Sequence, residues 1–168
     1  MGSVVASVRH KVLGNGLVRK AIGSPPVVMV GKHVAPRADL LLQRLTGGRL
    51  SVVGMLGSPM LILHTVGRRS GLPRATPLLC TKTDAGFIVV GSNWGQAGQP
   101  AWALNLRAEP AAEVEVRGRR RPITGRVLEG AERAAAWDLM VELWPSFDDY
   151  VVRADGRELW VFLLEPAD

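Results

Sequence analysis

The sequence predicts a mainly β fold with flanking helices (α+β), built on a closed or nearly closed antiparallel barrel. Beyond residue 50, short apolar or alternating segments follow one another at close spacing and are separated by turn residues. Such spacing is typical of strands joined by hairpins. The chain also lacks a strand-borne Gly-x-Gly-x-x-Gly motif and a Walker phosphate loop, which disfavours a parallel dinucleotide-binding sheet.

Six strand candidates account for the barrel. In chain order they span residues 61–65, 75–83, 87–91, 113–117, 122–128 and 159–164. Asp84-Ala85-Gly86 is predicted to connect the second and third strands, because Asp and Gly tolerate turn backbone. The fourth candidate alternates strictly between polar and apolar residues, and Gly118 is predicted to turn it back into the fifth.

Two helices are predicted beside the strands. Residues 101–107 form a short helix that ends before Pro110, because a residue that precedes proline disfavours the helical conformation. Residues 131–143 form the stronger candidate, and Ala135, Leu139 and Leu143 are predicted to share its apolar face.

Composition indicates a globular chain. Of its 168 residues, 47% are hydrophobic and 21% are charged, as in ordinary soluble domains. The sequence divides into a basic, partly helical segment, 1-48, and the barrel domain, 49-168.

The single cysteine, Cys80, is predicted to be a buried, unreactive thiol. His10, His33 and His64 lack the spacing of metal ligands, so no metal site is predicted, and His64 is expected in the core or supporting the site.

The positive charge is concentrated near the N-terminus. Six Lys or Arg and no acidic residue precede Asp39. The chain from Asp39 onward holds fifteen basic and fifteen acidic residues, so the net charge of +6 belongs to the N-terminal segment. A basic, amphipathic segment is suited to an anionic membrane surface. Two interpretations stay open. Residues 1-38 contact such a surface, or they pack as a cap on the barrel. Without a signal peptide or a spanning apolar run, the sequence predicts a cytoplasmic protein, peripheral on the inner membrane face under the first interpretation.

A second basic run lies between the fourth and fifth strands. Arg117, Arg119, Arg120 and Arg121 surround the predicted turn without interleaved aromatic residues. Aromatic stacking usually accompanies cations where proteins bind single-stranded nucleic acid. We therefore predict a solvated hairpin tip and no nucleic-acid partner.

The most informative segment runs from residue 61 to residue 106. An apolar strand leads into Gly67-Arg68-Arg69-Ser70-Gly71, and Arg74 follows shortly, so three guanidinium groups lie within seven residues of a tight turn. Backbone N–H groups and forked cations together bind phosphate and carboxylate well. The segment predicts a pocket for an anionic, planar cofactor.

The order of motifs after residue 50 carries a family resemblance. The motifs are Gly67-Arg68-Arg69-Ser70-Gly71-Leu72-Pro73-Arg74, Pro77-Leu78, Gly91-Ser92-Asn93-Trp94-Gly95, Pro100-Ala101-Trp102, Asn105-Leu106 and residues 144–150. Their order resembles the deazaflavin (F420)-dependent nitroreductase family of split-barrel flavin and deazaflavin oxidoreductases. The resemblance implies an antiparallel split β-barrel of the FMN-binding type, with coenzyme F420 bound by residues 49-168. It also implies hydride transfer from reduced deazaflavin to a small apolar acceptor, namely a quinone, enone or nitro compound.

The resemblance implies three groups of cofactor-binding residues. The group expected to hold the phosphate and the polyglutamate tail is Arg68, Arg69 and Ser70, with Arg74 and Pro77 beside them. The group expected to line the ring or its ribityl chain is Ser92, Asn93, Trp94 and Gly95. The opposite wall is expected from Ala101, Trp102 and Asn105.

The acceptor is expected to contact residues 144–150. Tyr150 is the only tyrosine of the chain and the expected catalytic residue, because a phenol can supply a proton or stabilise charge on the acceptor. Trp144 and Phe147 are expected to line the same pocket, which is more apolar than in tyrosine-rich members. Two alternatives stay open, an FMN-binding split-barrel oxidoreductase and a non-catalytic deazaflavin carrier. The chain is expected to be a monomer or a homodimer.

Overall fold

The computed structural model describes residues 58–167, which form a six-stranded antiparallel barrel. The strands are β1 (Met60–Val66), β2 (Pro73–Thr83), β3 (Gly86–Val90), β4 (Ala111–Val116), β5 (Arg119–Val127) and β6 (Val161–Pro166). Every neighbouring pair in the closed order β1-β2-β3-β6-β5-β4 is antiparallel. The predicted fold class is confirmed. The segment 1-48 and its predicted boundary lie outside the described residues.

Three α-helices accompany the strands within the described residues, α1 (Ala101–Ala108), α2 (Gly130–Leu143) and α3 (Ser146–Arg153). The first two confirm the predicted helices, whereas α3 was not predicted. Its sequence does carry helix signals, because Pro145 precedes it and acidic residues occupy its first turn. A single turn of 3-10 helix, Asn93–Gly95, follows β3.

The apolar face of α2 differs from the predicted one. Its buried residues are Ala136, Met140 and Leu143, whereas Ala135 and Leu139 are only half-buried. At 3.6 residues per turn, positions i, i+4 and i+7 stay close to one line, while i, i+4 and i+8 drift away from it. The predicted apolar face was therefore wrong by one residue at Ala135 and Leu139, and Leu143 is buried as predicted.

Strand β6 is buried on both of its faces. Apolar residues inside the barrel include Leu61, Leu63, Val114, Phe162 and Leu164. The alternate residues of β6, Val161 and Leu163, pack outside the barrel with the α2 and α3 residues Met140 and Phe147. Because β6 has apolar neighbours on both faces, it appears in the sequence as a continuous apolar run.

Helix α1 closes one end of the barrel, the end at which β1 finishes and β2 begins. Leu106 of α1 is fully buried in the barrel core. A Cβ atom on Gly125 of β5 would lie only 2.6 Å from the Leu106 side chain, so glycine leaves the space that Leu106 fills. The register pairs Val66 with Pro73 at this end, which places the basic turn beside α1.

Three individual expectations have an outcome in the fold. Burial raises the pKa of the Cys80 thiol to about 12, which confirms a buried, unreactive thiol. His64 is not in the core, because it alternates with the buried Leu63 and Thr65 and lies on the outer face, with Nε2 3.1 Å from Glu115 Oε2. The basic hairpin is exposed as predicted, and Arg117 and Gly118 both have positive φ, 52° and 75°, as in a tight type I′ turn.

Candidate active site

The basic turn between β1 and β2 is held by backbone hydrogen bonds around Gly67. Gly67 N–H donates to Leu72 O at 2.9 Å, and Gly67 O accepts from Ser70 N at 3.0 Å and Gly71 N at 2.7 Å. A Cβ on Gly67 would lie 2.7 Å from Ser70 Oγ, and Gly71 has a φ of +66°. Glycine takes the left-handed backbone at residue 71 without strain, and a side chain at residue 67 would make the Ser70 hydroxyl shift. The turn therefore needs these glycines to present Arg68 and Arg69.

Asn105 joins the basic turn to α1. Its Oδ1 accepts from the Arg68 backbone N at 3.2 Å and from Arg68 Nη1 at 3.3 Å, and the residue is only 5% exposed. The buried Asn105 oxygen accepts two hydrogen bonds from Arg68, and the donor Nη1 belongs to a charged guanidinium group. Two such bonds hold Arg68 in a defined position. Asn105, expected on the cofactor wall, thus also orients Arg68.

A cleft of about 410 Å³ opens between the basic turn and α1. Its lining residues are Gly67, Arg68, Arg69, Ser70, Arg74, Ala75, Thr76, Ala101, Trp102 and Asn105. Small-molecule sites typically measure about 300–1,000 Å³, so the cleft has a suitable size. Seven lining residues belong to the cofactor-binding set expected from the sequence, namely Arg68, Arg69, Ser70, Arg74, Ala101, Trp102 and Asn105.

The charge of this cleft is uncompensated by neighbouring residues. Within residues 58–167, Arg68, Arg69 and Arg74 form no ion pair with a carboxylate. Arg120 and Arg126, by contrast, each contact two glutamates elsewhere on the surface. Three guanidinium groups without a protein counter-ion create a positive potential that favours an anionic ligand.

The other side of the cleft is apolar. Trp102 is 7% exposed and packs on Phe162 inside the barrel, with ring centroids 5.4 Å apart. Its position is therefore fixed by the core, and only a small part of it meets the cleft, beside the methyl groups of Ala75 and Ala101. A cationic side that faces an apolar side suits a molecule with an anionic chain and a flat ring.

Five of the expected cofactor-binding residues, Pro77 and the four of the segment Ser92–Gly95, do not line this cleft. Pro77 is paired with Ile62 within the sheet and does not line the cleft. The segment Ser92–Gly95 also lies elsewhere and packs against α3. The ring of Trp94 meets that of Tyr150 edge-on, with centroids 6.1 Å apart. A Cβ on Gly95 would lie 3.0 Å from Tyr150 O, so glycine permits this close approach.

The three expected acceptor residues form one aromatic cluster. Trp144 Nε1 donates to the Tyr150 hydroxyl oxygen at 3.4 Å, and the Phe147 ring lies 5.9 Å from that of Tyr150. Tyr150 is 3% exposed, and this burial raises the pKa of its hydroxyl. The phenol therefore stays protonated at neutral pH. Within residues 58–167 its proton has no hydrogen-bond acceptor, and none of the three aromatic residues lines the cleft beside the basic turn.

Arg157 is a residue that sequence reasoning missed. Its guanidinium donates to backbone carbonyls of Gly91 and Ser92, at 3.0 Å and 2.7 Å, and to that of Gln96 at 2.9 Å. Burial lowers the pKa of Arg157. No local motif announces this role, because Arg157 and its partners lie about sixty residues apart and meet only in the fold.

Comparison with known proteins decides the family. A family model described as F420H(2)-dependent quinone reductase matches residues 35–166, which is most of the chain. The chain belongs to this family. The match confirms the resemblance that the basic turn and the motifs after it carry.

Individual relatives agree with this assignment. A protein of Mycobacterium tuberculosis (strain ATCC 25618 / H37Rv), provisionally named an F420H(2)-dependent quinone reductase, is 36% identical over 90 residues, or 54% of this chain and 76% of that protein. The solved F420-H2 dependent reductase FDR-A is 33% identical with a TM-score of 0.58, covering 64% of this chain and 94% of its own. A structure described as a domain-swapped dimer is 30% identical with a TM-score of 0.60, covering 79% and 96%. The predicted split barrel is confirmed.

Proposed function

We propose that this member of the family is an oxidoreductase that uses reduced coenzyme F420 to reduce a quinone-type acceptor. The observation that carries the proposal is the cleft in which Arg68, Arg69 and Arg74 face an apolar wall. Among the described residues, no carboxylate forms an ion pair with these three arginines. Membership of the F420H(2)-dependent quinone reductase family names the cofactor that such a cleft would take. Quinone reduction also agrees with the name of the relative from Mycobacterium tuberculosis.

The residues of the cleft fit the two chemical parts of coenzyme F420. Arg68, Arg69 and Arg74 would bind its phosphate and carboxylate groups through charge-assisted hydrogen bonds. The apolar side with Trp102 and Ala101 would hold the flat ring and exclude water from it. When bound, reduced F420 supplies the hydride, so the protein has to orient it and the acceptor.

Tyr150 would serve the acceptor rather than the cofactor. Its raised pKa keeps the proton on the Tyr150 oxygen at neutral pH. Trp144 Nε1 donates a hydrogen bond to that oxygen, so the phenol O–H is not used in this contact. The phenol can therefore donate to a carbonyl oxygen of the acceptor as negative charge develops there. Trp94 and Phe147 hold the ring of Tyr150 from two sides.

Replacement of Tyr150 by phenylalanine is expected to lower the rate of menadione reduction by about 10²-fold or more, within the usual range for a lost general acid. The affinity for F420 should stay within about twofold, because the aromatic packing is retained. Stopped-flow measurement of F420 oxidation gives the rate, and fluorescence titration gives the affinity. Trp137→Phe, which disturbs the packing on Phe147 without touching the Tyr150 hydroxyl, is the control for disturbed packing. A decrease below about tenfold in Tyr150→Phe would mean that solvent supplies the proton.

Titration of the purified chain with F420 and with FMN, followed by fluorescence, tests the proposed function. F420 should bind more tightly, because it carries more anionic groups for the three arginines than the single phosphate of FMN. The F420 complex, once reduced, should then reduce menadione. Tighter binding of FMN would favour a flavin oxidoreductase, and F420 binding without reduction of any quinone would favour a carrier.

We also propose that residues 1-38 bring the protein to an anionic membrane surface on the cytoplasmic side. The support is their six basic residues without an acidic one. Across residues 58–167, no helix combines the length and the apolar character needed to cross a bilayer.

A homodimer, one of the two expected oligomeric states, is consistent with the domain-swapped dimer among the solved structures. Light scattering would test the oligomeric state.

Deletion of residues 1–38 is expected to abolish sedimentation with anionic vesicles. A rise in salt should have the same effect on the full chain, because surface charges are screened over about 10 Å at 0.1 M ionic strength. Vesicles of neutral lipid are the control. Association that does not respond to salt, or its absence in the full chain, would favour packing of this segment on the barrel.

A further inference from the structure

The backbone of the segment Asn93–Gly95 is strained. Asn93, Trp94 and Gly95 have φ values of 46°, 57° and 74°, three left-handed residues in succession of which two are not glycine. Left-handed conformations of residues with a side chain cost free energy and persist only where surrounding contacts enforce them. Such strain is common where a segment serves binding or catalysis.

Arg157 supplies the enforcing contacts from outside the segment. Its guanidinium donates to the carbonyls of Gly91, Ser92 and Gln96 and to Gln99 Oε1, all between 2.7 and 3.0 Å. These acceptors lie before and after the strained residues, so Arg157 fixes both ends of the segment. Within residues 58–167, Arg157 forms no ion pair, so its charge acts on backbone carbonyls and on the Gln99 side-chain amide.

The same contacts determine where two peptide N–H groups point. In a trans peptide the N–H bond is directed opposite to the carbonyl. Because the Gly91 and Ser92 carbonyls face Arg157, the N–H groups of Ser92 and Asn93 face away from it. Neither N–H has a backbone hydrogen-bond acceptor within residues 58–167. A cation on the carbonyl side also polarises the peptide and makes its N–H a stronger donor.

We propose that Arg157 is a positioning residue that fixes the strained segment beside Tyr150 and leaves the Ser92 and Asn93 N–H groups free to bind the acceptor. This inference rests on the proposed function for the identity of the ligand. Arg157 itself acts from behind the segment through its carbonyls. Loss of its donors should release the left-handed residues, reorient the N–H groups and leave the barrel intact.

The test compares Arg157→Met, which keeps a long side chain without donors, with Arg157→Lys, which keeps the charge. The control is Arg133→Met, because Arg133 also donates to a backbone carbonyl, that of Leu159, but does not contact residues 91–99. Hydrogen exchange of residues 92–96 in the ligand-free protein measures the segment itself. F420 titration and the kcat and KM for menadione measure the consequence at the site.

Arg157→Met is expected to accelerate exchange of residues 92–96 and to lower kcat/KM for menadione by about tenfold or more, as for lost charge-assisted hydrogen bonds, with F420 affinity within about twofold of the wild type. Arg157→Lys should recover part of both effects, and Arg133→Met should change neither. If Arg157→Met does not fold, Gln99→Met tests the same contact and should accelerate exchange to a smaller extent. Exchange and kcat/KM equal to those of the wild type would overturn the inference.

The two proposals fail in different ways. If the wild type binds no F420 and reduces no quinone, the proposed function is wrong, while hydrogen exchange still decides whether Arg157 fixes the segment. If the wild type is active and Arg157→Met alters exchange but not kcat/KM for menadione, the residue is structural only and its proposed role toward the acceptor is wrong.

Discussion

Replacement of both Arg69 and Arg74 by alanine is expected to weaken F420 binding by about a hundredfold or more. Each guanidinium would lose at least one charge-assisted hydrogen bond, and such bonds contribute about 1.5–3 kcal/mol each. Arg68 should tolerate the double change, because Asn105 holds it independently. The fold should also persist, since both arginines are exposed and unpaired with any carboxylate among the described residues. Fluorescence titration measures the affinity.

The double variant Arg119→Ala and Arg121→Ala is the matched control. It removes the same charge from exposed arginines of the β4–β5 hairpin. The end of β4 pairs with the beginning of β1, whereas the basic turn follows the end of β1, so the two sites lie at opposite ends of the barrel. Equal weakening in both double variants would indicate a general effect of charge and would remove the basic turn from the site.

The single change Arg69→Ala separates the contributions. Arg74 also donates to Ser70 Oγ within the turn, whereas Arg69 has no such contact among the described residues. Loss of Arg69 should therefore leave the turn unchanged and cost about tenfold in affinity or more, as for one charge-assisted hydrogen bond. An unchanged affinity would mean that Arg69 faces solvent in the complex.

Features set by neighbouring residues could be predicted from the sequence. The basic turn is one, because glycine at residues 67 and 71 and the arginines between them determine its geometry locally. The hairpins and α1 are others, since turn residues and a proline mark their ends. Helix α1 then comes to the basic turn through the closure of the barrel, and this explains why residues from two separate motifs share one cleft.

Features set by contacts between distant residues could not be predicted. Arg157 acquires its role only when the turn after α3 meets residues 91–99. Pro77 has the residue type of a family motif, but the register of β1 and β2 places it opposite Ile62 rather than at the cleft. His64 similarly depends on pairing of β1 with β4, which brings Glu115 to its side. Sequence spacing carries no information on such pairings.

Replacement of Gly86 by alanine is expected to destabilise the barrel strongly. Gly86 begins β3 with a φ of +144°, and a Cβ there would lie 2.1 Å from the backbone oxygen of Leu164. A backbone atom of a buried strand cannot rotate away as a side chain can. Overpacking costs about 1–3 kcal/mol and a left-handed backbone about 1–2 kcal/mol more, so we expect a loss of about 2–5 kcal/mol.

Gly118→Ala on the other hairpin isolates the conformational part of this loss. Gly118 has a φ of +75°, but a Cβ there would meet no atom within 4 Å. Its replacement should therefore cost only about 1–2 kcal/mol, from the left-handed backbone alone. Urea unfolding followed by tryptophan fluorescence measures both variants, with an unchanged slope expected for each. Equal losses would mean that β6 moves away from residue 86 at little cost, and that the contact between β3 and β6 is less rigid than its geometry indicates.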